Sequence, residues 1–310
     1  MNGPAILPSN QTPLGALPAR FRRERVLIVG CGDVGLRVAG CLRGRVHVLA
    51  LTSQPARAIE LRAVGVTPLL GNLDVATSLR RLAGLATRVV HLAPPLSEGW
   101  TDPRTQALVR ALRLRAKPVS AVYGSTSGVY GDCGGDYVTE TRAPVAATPR
   151  AHRRTHAEAS MRFWGLASGV RASILRIPGI YAPDRDGGTP RARLLKGTPV
   201  LQQADDVFTN HIHADDLARA CCLAVWRGAA QRVYNVNDDS DLKMGDYFDF
   251  AADLYGLPKP PRIARDGASA QILPALLSFM SESRRMVNVR MKRELRLVLR
   301  YPTVHSGLVV

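Results

Sequence analysis

The chain has little lysine, no paired cysteines, few aromatic residues and no long apolar run. No stretch approaches the roughly 18 uninterrupted apolar residues of a helical membrane span, so no membrane partner is expected. The five cysteines (Cys31, Cys41, Cys133, Cys221, Cys222) are odd in number and contain no C-x-x-C pair. That excludes a disulfide framework as the organising principle and fits a reducing compartment. The histidines and cysteines show no finger-like spacing, so no metal is expected. Aromatics make up 5% of the chain and are not interleaved with its basic residues, as a base-stacking surface would require.

Positive charge is abundant. The formal net charge is +17, carried by 42 basic residues, of which only Lys117, Lys196, Lys243, Lys259 and Lys292 are lysines. So strong a skew to arginine reads as the codon bias of a GC-rich genome. The arginines are scattered, with modest clusters at 20–25, 104–117 and 284–300, and this argues against a nucleic-acid groove. A general attraction for anionic ligands such as nucleotides remains. Residues 1–23 are rich in Pro, Gly and Ala, without the basic start and apolar core of a signal peptide. They are expected to form a disordered tail on a cytoplasmic protein.

The most informative segment is Gly30-Cys31-Gly32-Asp33-Val34-Gly35. It follows the apolar run Arg25–Val29 and leads into Leu36-Arg37-Val38-Ala39, giving strand, G-x-G-x-x-G turn and helix in the order of a dinucleotide-binding βαβ unit. Gly30 allows a tight turn, Gly32 lets the backbone approach a pyrophosphate, and Gly35 lets helix and strand pack closely. The helix start offers unpaired N–H groups to phosphates. A nicotinamide dinucleotide is the expected cofactor.

Apolar runs then alternate with helical patterns. Strands are predicted at 25–29, 46–51, 66–70, 88–92, 119–123 and 172–177, and helices at 34–42, 56–63, 78–83, 105–115 and 155–166. The pattern predicts an α/β fold of Rossmann type, a doubly wound parallel sheet of order 3-2-1-4-5-6 with its ligand at the switch point beside strand one. After Pro178 the texture changes to a loop-rich stretch. Helices follow at 215–226 and 244–255, a strand at 232–236, and a last helix near 287–299. The expected division is residues 24–178 as the dinucleotide-binding domain, with elements returning to it from the C-terminal part. Residues 179–310 would be mainly a small substrate-binding lobe over the carboxyl ends of the strands.

The end of strand two reads Ala50-Leu51-Thr52-Ser53-Gln54, with no acid to hold ribose hydroxyls. Thr52, Ser53 and Arg57, with Arg37 as a second cation, are instead placed to meet a 2′-phosphate, which favours NADP(H) over NAD(H). Asn72-Leu73-Asp74 follows strand three, where an Asp can receive the adenine amino group.

These segments, taken together, resemble the NAD-dependent epimerase/dehydratase family, the extended short-chain dehydrogenases/reductases, in its atypical branch. The resemblance runs from Arg25 to Leu308. It rests on the glycine turn, Gly71-Asn72-Leu73-Asp74, His91-Leu92-Ala93-Pro94-Pro95 and Ser125-Thr126-Ser127-Gly128-Val129-Tyr130-Gly131. Further on come Leu175-Arg176-Ile177-Pro178-Gly179-Ile180-Tyr181-Ala182-Pro183, His211-Ile212-His213-Ala214-Asp215-Asp216-Leu217-Ala218, Tyr234-Asn235-Val236-Asn237-Asp238, and Tyr301-Pro302 to Gly307-Leu308. It implies that Leu92, Ala93, Pro94 and Pro178 line the cofactor and that Thr126 polarises a substrate carbonyl. The implied chemistry is hydride transfer at a carbinol or carbonyl carbon of a nucleotide sugar or another polar metabolite.

Family members use a Tyr-x-x-x-Lys pair, in which the Lys cation lowers the Tyr pKa for proton transfer. Counting back from Glu158, the family's Tyr and Lys positions fall on Arg150 and Arg154. Guanidinium does not act as an ordinary proton shuttle. Three substitutes are open: Thr126 with a phenol from Tyr130 or Tyr123; His152 or His156 as acid–base; or a chain that binds the dinucleotide as a catalytically silent sensor. Arg154 keeps the charge of the Lys for holding the cofactor. Arg176, Tyr181 and His213 are the substrate-side candidates, and Asp215 and Asp216 are expected to cap the following helix. In relatives, helices equivalent to 105–115 and 155–166 pair between subunits. The Arg-rich version here leaves monomer and homodimer both open.

Overall fold

The computed structural model describes residues 24–309, so the expected tail lies outside the described residues. Seven strands form one all-parallel sheet: β1 (Arg25–Val29), β2 (His47–Thr52), β3 (Thr67–Leu70), β4 (Arg88–His91), β5 (Ser120–Thr126), β6 (Arg171–Ile177) and β7 (Arg232–Asn235). Their spatial order is β7-β6-β5-β4-β1-β2-β3, the expected doubly wound order with one strand added at an edge. The strands read as continuous apolar runs because both faces are covered. Val26 and Ile28 enter one core with Val38 and Leu217. Leu27 and Val29 point the other way, to Leu108 and Trp164. That is the period-two alternation of a strand buried on both sides.

Helices α1 (Asp33–Leu42) and α2 (Arg57–Ala63) follow β1 and β2, and α3 (Pro103–Leu112) and α4 (Pro149–Ser168) flank β5. Helix α5 (Ala214–Arg227) packs on α1, and α6 (Met244–Tyr255) belongs to a separate apolar core with Tyr181, Leu194, Val200 and Met280. Residues 212–236 therefore return to the sheet, while 244–280 build a lobe above its carboxyl edge.

Four differences from the sequence expectation have physical causes. Strand β5 runs on to Thr126, because Gly124, Ser125 and Thr126 pair with Leu175, Arg176 and Ile177 although none is a strong strand former. Helix α4 begins at Pro149, six residues before the expected start. Thr148 caps it by accepting a bond from Ala151 N at 3.2 Å, and the first turn has no apolar periodicity to announce it. The expected helix at 78–83 is a 3₁₀ helix, Ala76–Leu82. The expected last helix stops at Glu294 because Leu295 and Leu297 are both buried. Two residues apart on a helix would face opposite ways, and the left-handed Arg296 (φ 55°) between them turns both inward.

Candidate active site

The glycine turn is fixed by contacts that exclude side chains. Gly30 has φ +92°, and a Cβ there would lie 2.3 Å from Ala93 N; at Gly35 it would lie 2.8 Å from Gly30 O. A Cβ on Gly32 would meet nothing within 4 Å, so the turn leaves open space over that residue. Gly32 is the N-cap of α1 and no side chain caps the helix. The first N–H groups of α1 are thus presented to the cleft unpaired, the arrangement that holds a pyrophosphate.

From this turn a cleft runs in both directions. Toward β2 and β3 it opens into a cavity of about 730 Å³ lined by Thr52, Ser53, Gln54, Arg57, Asn72 and Arg104, with Leu73 and Ala93. Arg57 donates from Nη2 to Cys31 O at 3.0 Å and from Nη1 to Glu60 at 2.5 Å. Asp74 does not line the cavity. Both its oxygens are held by Arg104, at 2.7 and 2.6 Å, and this pairing pushes its pKa below the usual carboxylate range. Pro94 likewise stays off the lining and gives its carbonyl to Arg104 at 3.3 Å. Arg37 does not line this cavity, because it ties Asp33, Asp184 and Asp215 together at 3.1, 2.7 and 2.5 Å.

Toward β5 the cleft narrows to about 310 Å³ between the turn and Asp33, Val34, Leu92, Thr126, Arg154 and Pro178. Arg154 donates to Gly124 O at 2.7 Å and Tyr123 Oη at 3.1 Å, so its charge sits on the strand end beside the cleft. Thr126 and Pro178 are shared with a third cavity of about 440 Å³ under the lobe. The three cavities are consecutive parts of one groove. Among the described residues the turn, the free helix start and the continuous groove fit an extended dinucleotide.

The expected catalytic and substrate residues are only partly brought together. Thr126 is at the junction, accepting from Gly128 N at 3.3 Å. Tyr130 is buried, donates to Asn235 Oδ1 at 2.7 Å and lies 4.6 Å from the Arg176 guanidinium, away from the groove. His152 is exposed beside Trp100, and the His156 Nδ1 accepts from Asp102 N at 3.1 Å; neither lines the groove. Arg176 is fully buried and held by Glu158 at 2.8 and 3.1 Å, with Ser125 donating to the same carboxylate at 2.6 Å. Tyr181 donates to Thr303 O at 3.2 Å, under Gly307, where any Cβ would meet its hydroxyl at 2.5 Å. His213 caps α5 by accepting from Asp215 N at 3.2 Å and stacks on Tyr301 at 3.8 Å. Burial and internal pairing thus withdraw Arg176, Tyr181 and His213 from the substrate side. Asp216 is also internal, accepting from Arg300 N and Tyr301 N at 2.9 and 2.8 Å.

The cavity under the lobe is lined instead by Arg150, Arg193, Arg284, Glu282, His211 and Tyr247. Arg150 lies 4.3 Å over the Phe279 ring, in the first turn of α4. Arg193 lies 4.2 Å over Phe248, with Nε and Nη2 buried and unpartnered, and burial lowers its pKa to about 10. Arg284 donates to Glu282 Oε2 at 2.9 and 2.8 Å and to Gly131 O at 2.6 Å. His211 is pushed down to about 4 by burial, which keeps its imidazole neutral near pH 7. Sequence reasoning pointed to Arg150 as the residue at the Tyr position but missed the others. Arg193 stands in a stretch with no periodic pattern, and of the two histidines on one face of the buried strand His211–His213 only His213 was a candidate, while His211 is the one that lines the cavity.

A sequence profile of the NAD dependent epimerase/dehydratase family matches residues 26–237. No curated protein matches the chain. Among solved structures, a functionally unknown conserved protein from Silicibacter pomeroyi DSS is 28% identical with a TM-score of 0.75, over 92% of this chain and 97% of that one. The UDP-glucose 4-epimerase of Thermotoga maritima, solved with UDP-glucose, is 18% identical with a TM-score of 0.74, over 92% and 96%. The UDP-glucuronic acid 4-epimerase of Bacillus cereus, solved with UDP-glucuronic acid and NAD, is 18% identical with a TM-score of 0.73, over 92% and 96%. The two epimerases share the fold with this chain.

Proposed function

The chain belongs to the NAD dependent epimerase/dehydratase family, and from that premise we propose that it is an NADP(H)-preferring oxidoreductase or epimerase acting on a carbinol or carbonyl carbon of an anionic polar metabolite. The observation that carries this reading is the continuity of the groove. Thr126 and Pro178 line both the narrow section beside the glycine turn and the arginine-rich cavity under the lobe. A nicotinamide ring laid between them would give or take a hydride at a carbon held in that cavity.

The turn and the start of α1 bind the pyrophosphate. Thr52, Ser53 and Arg57 receive the 2′-phosphate, for which Arg57 exchanges its exposed Glu60 partner. Arg154 holds the ribose side with a fixed cation. Thr126 donates its hydroxyl to the substrate oxygen. Arg150 and Arg193 orient a carboxylate or phosphate of the substrate; the unpartnered Nε and Nη2 of Arg193 are donors that such an anion satisfies. Tyr130 and His152 lie off the groove, so proton transfer falls to Glu282 or His211, the carboxylate and the imidazole that line it. The division into a dinucleotide-binding unit up to residue 178 and a mainly substrate-binding remainder, a cytoplasmic setting, and a monomer or homodimer are parts of the same reading.

A second reading, a catalytically silent dinucleotide sensor, draws on Arg150 and Arg154 at the Tyr and Lys positions. A panel of phosphorylated and carboxylated aldehydes, ketones and nucleotide sugars, followed by NADPH absorbance and by product epimer analysis, separates the two. Turnover that falls at least tenfold in Glu282→Gln or His211→Asn supports the enzyme. Tight NADPH binding with no turnover across the panel supports the sensor.

A further inference from the structure

Away from the cleft, a cavity of about 840 Å³ opens between the C-terminal half of α1, α5 and the chain after Glu294. Its lining includes Cys41, Cys222 and the arginines Arg45, Arg219, Arg227, Arg296 and Arg300, none of which lines the cofactor or substrate groove. Arg296 and Arg300 belong to the basic run at 284–300. Arg219 is spent on Asp216 and Val298 O, at 2.6 and 2.8 Å, and Arg227 on Leu295 O at 2.8 Å. Among the described residues the side chains of Arg45, Arg296 and Arg300 have no hydrogen-bond or ion-pair partner.

The two thiols meet where α1 packs on α5. Cys41 is exposed and Cys222 half-buried, and the Cys222 thiol donates to Val38 O at 3.9 Å, one turn before Cys41. We propose that this groove is a modification site, at which Cys41 exchanges with small anionic disulfides of the oxidised-glutathione type while the free arginines hold their carboxylates. The Cys41 thiolate attacks one sulfur of the disulfide. A Cys41–sulfur bond forms, the disulfide's own bond breaks, and the departing thiolate takes its proton from water. Cys222, whose thiol donates to Val38 O, keeps its proton throughout.

The charges around Cys41 agree with this role. The neighbouring Cys222 thiol, with Arg300 and Arg219 nearby, lowers the Cys41 pKa to about 6 against burial and against Asp215, while Cys222 is raised by the same pairing. Asp215 is itself engaged by Arg37 at 2.5 Å. Arg45, Arg227 and Arg296, the other charged groups of the lining, are all cations. Thiolate fraction raises the rate and lowered basicity reduces it. With both weighed, Cys41 should react with a neutral disulfide about 20-fold faster than an ordinary thiol of pKa near 9 at pH 6, and about fourfold faster at pH 7.

The test treats the full-length protein with oxidised glutathione or the neutral bis(2-hydroxyethyl) disulfide, at pH 5.5 to 9 and two salt concentrations. Modification of each cysteine is followed by peptide mass mapping. The expected result is a Cys41 rate that levels off above about pH 6.5. Oxidised glutathione should react several-fold faster than the neutral reagent at low salt, a preference reduced by Arg300→Gln with Arg45→Gln. Cys222→Ser should keep the low-pH reactivity and Cys222→Ala should lose most of it. A Cys41 rate that climbs tenfold per pH unit from 6 to 8, or equal salt-independent rates for the two disulfides, would overturn the proposal. Both readouts are independent of any turnover at the cleft.

Discussion

The two ends of the groove are built by different means. At the glycine turn the geometry is set by backbone: φ +92° at Gly30, sub-van-der-Waals limits on any Cβ at Gly30 and Gly35, and helix N–H groups facing outward. Under the lobe it is set by side chains, with Arg150, Arg193 and Arg284 around Glu282 and His211. A backbone-built site tolerates little change and announces itself in sequence as glycines at fixed spacing. A side-chain site can exchange its Tyr and Lys for arginines while the scaffold beneath it persists. Here that scaffold is the buried Ser125–Glu158–Arg176 cluster, which joins β5, α4 and β6 just behind the groove.

The strongest way to break the comparison is to attack that shared scaffold. Glu158→Ala leaves Arg176 charged and unpaired in the core and should cost about 3–5 kcal/mol in denaturant titration, at both ends alike. If stability hardly changes, the cluster does not underpin the groove. Gly30→Ala comes next. It imposes a positive φ on a Cβ residue and a backbone clash, so a loss of about 2–3 kcal/mol together with loss of NADPH binding is expected. Wild-type affinity in this variant would show that the turn is not the binding element. By contrast Arg150→Tyr with Arg154→Lys should leave stability within about 1 kcal/mol, since neither position is paired with a carboxylate in the core.

Acid sharpens the contrast in another way. Burial lowers His91, behind the dinucleotide end, and His211, under the lobe, to about 4. The unfolded chain titrates these groups near 6.5 and so binds more protons between about pH 4 and 6.5. Their contribution is complete above pH 6.5 and is lost as pH falls toward 4. Asp238 works in the opposite sense. Burial raises it to about 7, so its contribution is complete below the unfolded value near 4 and is lost as pH rises toward 7. Urea titrations at pH 4 to 7 should show Asp238→Asn gaining stability with pH more steeply than the wild type; parallel curves would contradict the assignment. A more local effect is expected at the adenosine end, where Arg57→Ala should weaken NADPH about tenfold, or 1.4 kcal/mol, and leave NADH unchanged.

How legible each part was in the sequence follows from the same physics. The order of the strands, the glycine turn and most residues lining the groove on either side of it could be read, because buried parallel strands leave apolar runs and tight turns leave glycines. Tyr130, Arg176, Tyr181 and His213 looked functional because polar residues stood in family segments. In the structure each meets an internal partner and lies off the groove lining. Arg193, Glu282 and His211 come from segments far apart in the chain, and only the packing of the lobe core brings them together. No local spacing records such a meeting.

The most direct test of the central claim is a thermal-shift comparison of NAD, NADH, NADP and NADPH on the intact protein. A ligand at about 100 times its Kd adds roughly 2.7 kcal/mol to the folded state, a rise of about 5 °C for a chain of this size. The groove described above predicts that rise with NADPH and NADP and a smaller one with NADH and NAD. No shift with any of the four would contradict a dinucleotide site at the glycine turn.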